Sequence, residues 1–233
     1  MHPQQLLMPL GYEKTAYFKY FIDPLGHEHL AKQLKDWLEA QSERFLLLLG
    51  ASGCGKSHLC YSAIHALEHK ACFYLDLAQI NTLDPQMLEG LSSTYRLIVI
   101  ENIQALKNHR PWQEALFHLY NQVHANPQCQ CLFSSQETIA QMDLELEDLS
   151  SRLLWPLQIQ IPNPDDDLIV AILQQRAQLL GLNLEAEVAD YMLRRCTRNI
   201  NALLEQLESL HLASLSQKKR LSIPFVKKVL ALV

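Results

Sequence analysis

Phe45-Leu46-Leu47-Leu48-Leu49 runs straight into Gly50-Ala51-Ser52-Gly53-Cys54-Gly55-Lys56-Ser57. The apolar run reads as a buried parallel strand. The octapeptide fits G-x-x-x-x-G-K-[ST], a phosphate-binding loop. His58 to Leu67 follows with apolar residues at helical spacing. Strand, glycine loop and helix in that order are the context the motif requires. The glycines let the backbone turn sharply and point successive N–H groups inward. That nest of donors, with the positive end of the following helix, holds phosphate oxygens. Lys56 is expected to reach the β- and γ-phosphates, and the Ser57 hydroxyl to coordinate Mg²⁺. The bland alternative is a glycine turn with an incidental lysine, which leaves both flanks unexplained.

The rest of the chain repeats the strand–helix alternation. Before the loop, Met1 to Thr15 has no period and contains Pro3, Pro9 and Gly11, so it reads as an extended tail. Within it Gln5-Leu6-Leu7-Met8-Pro9-Leu10 is compact and apolar. On composition it is either a strap on the domain's own surface or a segment that something else binds. The aromatic stretch Tyr17 to Ile22 suits a wall for an adenine base or ordinary core. A helix is expected over 27–40, with Leu30, Leu34, Trp37 and Leu38 on one face. Ala71 to Leu77 reads as a second strand, and Met87 to Leu91 as a short helix. Arg96-Leu97-Ile98-Val99-Ile100 is another apolar run, ending in Glu101-Asn102. A strand delivering an acid at its end, about 45 residues after the loop lysine, is the Walker B arrangement, which makes Glu101 a candidate for the Mg²⁺ shell.

Pro111 to Ala125 reads as a helix with proline at a tolerated N-terminal position. Gln130 to Ser134 is a further strand, Glu147 to Trp155 a short helix carrying Arg152, and Leu157 to Ile161 a last strand. By its residues alone, Arg152 would form a surface ion pair with Glu147 or Asp148. Pro162-Asn163-Pro164 marks a boundary, beyond which the pattern is helical throughout. Helices are expected from the Asp165 cap to Leu180, over 185–196, over 200–215, and from the Ser222 cap over 224–232. The expected organisation is a tail over 1–16, an α/β base over 17–162 and a helical lid over 163–233, with nucleotide between base and lid.

Composition narrows the class. The 233 residues, 48% of them hydrophobic, suffice for a core plus a small accessory domain. The apolar runs are too short to span a bilayer, and no basic-then-apolar leader opens the chain, so neither membrane insertion nor export is expected. A formal charge of −5 argues against the footprint of a dedicated DNA-binding domain. Cysteines at 54, 60, 72, 129, 131 and 196 form no C-x-x-C, and reduced thiols in a cytoplasmic protein are expected. Among the ten histidines, His65 and His69 stand at i, i+4 and His27 and His29 are close, but no metal-binding set is completed.

The chain resembles the AAA+ ATPases and, within them, the DnaA/Hda family, over nearly its whole length. Beyond the loop, three stretches carry the resemblance. Leu149-Ser150-Ser151-Arg152-Leu153-Leu154-Trp155 is similar to the family's arginine-finger box. Leu221-Ser222-Ile223-Pro224-Phe225-Val226-Lys227 is similar to the closing segment of the family's short regulators. Gln5 to Leu10 resembles the hexapeptide that docks proteins on the DNA polymerase sliding clamp. The resemblance implies an AAA+ three-layer parallel sheet followed by an all-α lid. It implies ADP or ATP with Mg²⁺, held by Gly50, Ala51, Ser52, Gly53, Cys54, Gly55, Lys56, Ser57 and His58, with Asn201 at the lid's sensor position. Metal would fall to Ser57 and Glu101. Gln5, Leu6, Met8, Pro9 and Leu10 would bind the DNA-loaded clamp of DNA polymerase III, associating the protein with the nucleoid. Arg152 would act in trans on ATP held by the initiator DnaA and so restrain replication initiation.

Departures from the family pattern temper the enzyme expected. Asn102 stands where an active ATPase of this family carries a second acid, and an amide cannot act as a general base. Asn201 stands where the family has a lid arginine, with Arg198 one turn earlier, and Gln136 follows Ser135 at the other sensor position. Nucleotide binding with weak or no turnover is therefore expected. No counterpart of the initiator's helix-turn-helix domain is expected. Two other readings stay open: a self-sufficient AAA+ ATPase or helicase loader, and a non-catalytic initiator adaptor. Monomer against homodimer also stays open.

Overall fold

The computed structural model describes residues 16–231 except 27, 41, 68–70, 197 and 198. The segment Gln5 to Leu10, and with it His27, His69 and Arg198, lies outside the described residues. The chain divides into two compact units, Met1–Pro162 and Asn163–Val233.

The first unit is built on a five-stranded sheet, all pairs parallel, in the order β2-β3-β4-β1-β5. The strands are β1 (Phe45–Leu49), β2 (Cys72–Asp76), β3 (Leu97–Glu101), β4 (Gln130–Ser135) and β5 (Leu157–Gln160). β1, β3 and β4 are buried along their whole length, which explains why their sequences are continuous rather than alternating. Alternate residues feed two separate cores. Leu46, Leu48, Leu97, Val99 and Leu132 pack under α1 (His29–Ala40) and α2 (Lys56–Ala66). Phe45, Leu47, Leu49, Ile98, Ile100 and Phe133 pack on the other face. The helices there are α3 (Leu91–Thr94), α4 (Arg110–Ala125) and α5 (Glu147–Leu153). The result is the three-layer parallel arrangement expected.

Several boundaries differ from the sequence reading for local reasons. The short helix expected at Met87 is a 3₁₀ turn over Pro85–Leu88, and α3 starts only after Gly90, whose φ of 71° breaks the path between them. Glu101 is the last residue of β3, so this strand delivers its acid at its end as expected. α5 ends at Leu153, two residues before Trp155, so Leu154 and Trp155 form a turn and not a helix end. Ala16 is buried, and its carbonyl accepts from the Ser62 hydroxyl on α2 at 3.3 Å.

The second unit is all-helical among its described residues: α6 (Asp166–Leu179), α7 (Ala186–Arg195), α8 (Ile200–Gln217) and α9 (Ile223–Val229). Asp165 and Ser222 cap α6 and α9 as expected, accepting from the backbone N–H groups of Leu168 and Phe225. The stripe Ile200, Leu203, Leu204, Leu207 and Leu210 is the buried face of α8. The nearly buried Arg176 pairs with Glu208 at 2.8 Å and ties α6 to α8. No helix among the described residues is long and apolar enough to cross a membrane.

Candidate functional site

The C-terminal ends of β1, β3 and β4 bring the loop, the strand-end acid and the polar residues after Ser134 together. β1 feeds the loop 50–55, and α2 starts at Lys56, with Gly55 as its N-cap residue at φ 104°. Glycine is required here on two counts. A Cβ on Gly55 would stand 2.9 Å from a Phe21 ring carbon, at a φ that L side chains rarely adopt. At Gly50 a Cβ would stand 2.6 Å from both Cys54 Sγ and the Ile161 carbonyl oxygen.

Lys56 is 6% exposed and folds back on its own loop. Its ammonium donates to the Gly50 carbonyl at 2.7 Å and the Ala51 carbonyl at 2.8 Å, with Cys54 Sγ at 3.8 Å. Burial pushes the Cys54 thiol up, against the opposing pull of Lys56, so this thiol is structural in character. Ser52 and Ala51 are exposed, Gly53 and Gly55 are half-buried, and His58 flanks the loop at the start of α2. His58 Nε2 donates to the Tyr17 carbonyl at 3.0 Å, and its ring lies 5.5 Å from that of Phe21. Tyr17 stacks on His65 at 4.2 Å. The aromatic segment Tyr17 to Ile22 is thereby fixed beside the loop and α2.

Ser57 and Glu101, expected to share a metal, are in contact. The Ser57 hydroxyl donates to Glu101 Oε2 at 2.6 Å. Glu101 is 2% exposed, and its Oε1 has no partner among the described residues. Burial pushes the Glu101 carboxyl up to about 7, partly offset by the Ser57 hydrogen bond. A buried carboxylate with one oxygen unpartnered and the other on the Ser57 hydroxyl suits a hard cation such as Mg²⁺, which takes oxygen ligands. Ser57 and Glu101 are the residues able to hold it. Among the described residues no group of three or more His, Cys, Asp or Glu forms a separate metal cluster.

Asn102 is the residue beside this acid, and its surroundings were not legible in the sequence. It adopts φ 58°, ψ 42°, which turns its amide away from the strand direction. Asn102 Nδ2 donates to Asp76 Oδ1 on the neighbouring strand β2 at 2.7 Å. Its Oδ1 accepts from Gln104 Nε2 at 3.1 Å and Gln136 Nε2 at 3.5 Å, and the Gln136 N–H donates to Gln104 Oε1 at 3.2 Å. Asp76 and Glu101 are register partners at the ends of β2 and β3. Only that register, which a single sequence does not supply, puts Asp76 here.

Arg152 lies elsewhere in the first unit, in the last turn of α5. The ion pair with Glu147 or Asp148 that its residues alone suggested is not formed; among the described residues Arg152 has no carboxylate partner. Its guanidinium instead faces the rings of Trp155 at 5.6 Å, Phe117 at 5.7 Å and Tyr120 at 5.9 Å. Asn201 is exposed in the first turn of α8, in the second unit, where its N–H donates to the capping Asn199 side chain.

Two family models match the chain. "Nephrocystin 3, N-terminal" covers residues 29–155, and "Hda, lid domain" covers residues 165–230. Among solved structures, the chain is similar to domain III of the Thermotoga maritima replication initiation protein DnaA, with TM-score 0.79 and 19% identity over 96% of this chain and 98% of that one. It is similar to AMPPCP-bound DnaA from Aquifex aeolicus, with TM-score 0.69 and 18% identity over 87% of this chain and 69% of that one. It is similar to the Thermotoga maritima RuvB Holliday junction branch migration motor, with TM-score 0.69 and 18% identity over 95% of this chain and 73% of that one. Such identities speak for the fold alone. Sheet order, glycine loop and strand-end acid, followed by a helical unit, define an AAA+ P-loop protein. With more than half of its length matched, the chain belongs to the nephrocystin 3 N-terminal family, and with its Hda lid domain it is a DnaA/Hda-like AAA+ protein.

Proposed function

We propose that this protein restrains chromosomal replication initiation by stimulating hydrolysis of ATP bound to the initiator DnaA, with Arg152 supplied in trans. The observation that carries the reading is the state of Arg152: a guanidinium held by three rings, with no carboxylate to neutralise it among the described residues. An arginine placed on a transferring phosphoryl group is worth about 10³–10⁵ in rate, because it offsets charge developing on the phosphoryl oxygens. In this reading the base spans 17–162 and the lid 163–233. The protein's own loop, from Gly50 to His58, binds ADP or ATP. Mg²⁺ would be held there by Ser57 and Glu101 and would neutralise phosphate charge when bound. Asn102 carries no base, which supports slow intrinsic turnover.

Gln5, Leu6, Met8, Pro9 and Leu10 dock the protein on the DNA-loaded sliding clamp, which keeps it in the cytoplasm at the nucleoid. Each fully buried leucine or methionine of that segment contributes about 1.5–3 kcal/mol. The test is a reconstitution of this protein with DnaA, clamp loaded on DNA, and ATP, scored by released phosphate. Acceleration over DnaA alone is expected, and no acceleration defeats the proposal. Replacing Gln5, Leu6 and Leu10 together by alanine is expected to abolish retention on immobilised clamp while nucleotide binding persists. Full retention would return the segment to a strap role.

One observation favours a second reading, a self-sufficient ATPase. Asp76 brings a carboxylate within 2.7 Å of the Asn102 amide, close to where the missing acid would stand. Phosphate release by the isolated protein at rates typical of a committed ATPase would establish that reading, and its loss in Asp76→Asn would assign the base.

A further inference from the structure

We infer that Trp155 positions Arg152 and is the centre of the face on which a partner docks, the partner being a protein that carries a nucleoside triphosphate in its own phosphate-binding loop. The inference rests on the proposed role of Arg152 and adds what aims that side chain and what the partner touches. One wall of the cradle is rigid. Tyr120 is 2% exposed and stacks face to face on Phe45 of β1 at 3.8 Å, so it is continuous with the sheet core. Phe117 lies one turn earlier on α4 and completes that wall. The opposite wall is open. Trp155 is 66% exposed, and its backbone N–H donates to the Arg152 carbonyl at 3.2 Å, so ring and guanidinium hang from one short turn.

An arginine on a helix with Glu147 and Asp148 one turn away would ordinarily relax into an ion pair. Rings hold it without neutralising it. The face of an aromatic attracts the cation, while the N–H fork stays available for an anion. Trp155 is joined at the surface by Leu154 and by Leu157, the first residue of the edge strand β5. Tryptophan and arginine dominate the energetics of protein interfaces when an apolar rim excludes water around them. Charge selects the occupant. A nucleic-acid backbone needs a track of cations, whereas Arg152 is bordered among the described residues by the exposed apolar Leu154, Trp155 and Leu157. That fits a single phosphate chain presented from within another protein.

The experiment compares wild type with Trp155→Ala, Trp155→Phe and Arg152→Ala. Each is titrated against DnaA, so that maximal rate and half-saturating concentration are read separately, and each is melted. Trp155→Ala is expected to melt as wild type and to lower the maximal rate roughly 10–100-fold through misplacement of the finger. It should also raise the half-saturating concentration by about tenfold or more. Trp155→Phe keeps a π-face and should stay within about threefold of wild type. In the absence of DnaA, the emission of Trp155, taken as the wild-type spectrum minus that of Trp155→Phe, should change in Arg152→Ala. Wild-type kinetics in Trp155→Ala alongside an inactive Arg152→Ala would overturn the inference and leave the finger standing. Full activity in Arg152→Ala would overturn the finger, and the role of Trp155 with it. Unchanged Trp155 emission in Arg152→Ala would overturn the stack itself.

Discussion

Lys56 and Arg152 are two cations of one sheet unit in opposite surroundings. Lys56 is closed in on carbonyls of its own loop and is 6% exposed. Arg152 sits at the end of α5, against rings that cannot accept its charge, beside the exposed Leu154, Trp155 and Leu157. The first has its acceptors within the chain, and in the proposed reading it exchanges them for the phosphates of a ligand in the same loop. The second has no acceptor in the described chain, so its partner oxygen is to be looked for in another molecule. Position relative to the sheet makes the difference. Lys56 follows the interior strand β1, whereas Arg152 precedes the edge strand β5.

The sharpest way to break this contrast is at the outer cation. Arg152→Lys keeps charge and loses the planar fork, and it is expected to lower stimulation of DnaA by roughly a thousandfold. Nucleotide affinity of this protein, measured by calorimetry with ADP and Mg²⁺, should not change. A mirrored loss is expected inside. Lys56→Ala should weaken ADP binding by roughly 100-fold, as charge-assisted hydrogen bonds are worth about 1.5–3 kcal/mol each. Unaltered binding in that variant would remove the loop from the nucleotide site.

The buried acid sharpens the comparison through pH. Glu101 titrates at about 7 in the fold against 4.5 when exposed. Between those values the folded protein holds a proton that the unfolded chain has released, so stability falls as pH rises. The loss begins near 4.5 and is complete above about 7. It amounts to about 3 kcal/mol at most, from 1.36 kcal/mol per pH unit. Glu101→Gln should flatten that part of the stability curve, read as the difference between the two proteins in urea melts at pH 5 and pH 8. Parallel curves would show that Glu101 is not buried as described. The smallest effect concerns its neighbour. Asn102→Asp restores an acid to the strand end and is expected to raise intrinsic phosphate release about tenfold. Unchanged turnover would leave the base question to Asp76.

The corner of glycine loop and strand-end acid was legible in the sequence because its requirements are local. Strand, glycines, lysine and helix are contiguous, and an acid at the end of β3 follows from an apolar run that must stop somewhere. The helical second unit was legible for a similar reason, since Asp165 and Ser222 mark starts and Gly181 a stop. What escaped depends on packing between segments distant in the chain. Asp76 reaches Asn102 only through the parallel register of β2 and β3. Phe117 and Tyr120 reach Arg152 only because α4 and α5 pack together on one face of the sheet. The ion pair suggested by Glu147 and Asp148 failed for the same reason: sequence adjacency did not weigh the rings that α4 brings to Arg152.

The contrast between the two cations comes down to whose ATP is cut. DnaA preloaded with γ-labelled ATP, chased with unlabelled nucleotide and then mixed with this protein and clamp on DNA, reports hydrolysis on DnaA alone. Wild type and Arg152→Ala are run side by side, and both are melted. The account predicts equal melting temperatures, rapid label release with wild type, and release with Arg152→Ala no faster than from DnaA by itself. Equal label release by the two proteins would contradict it.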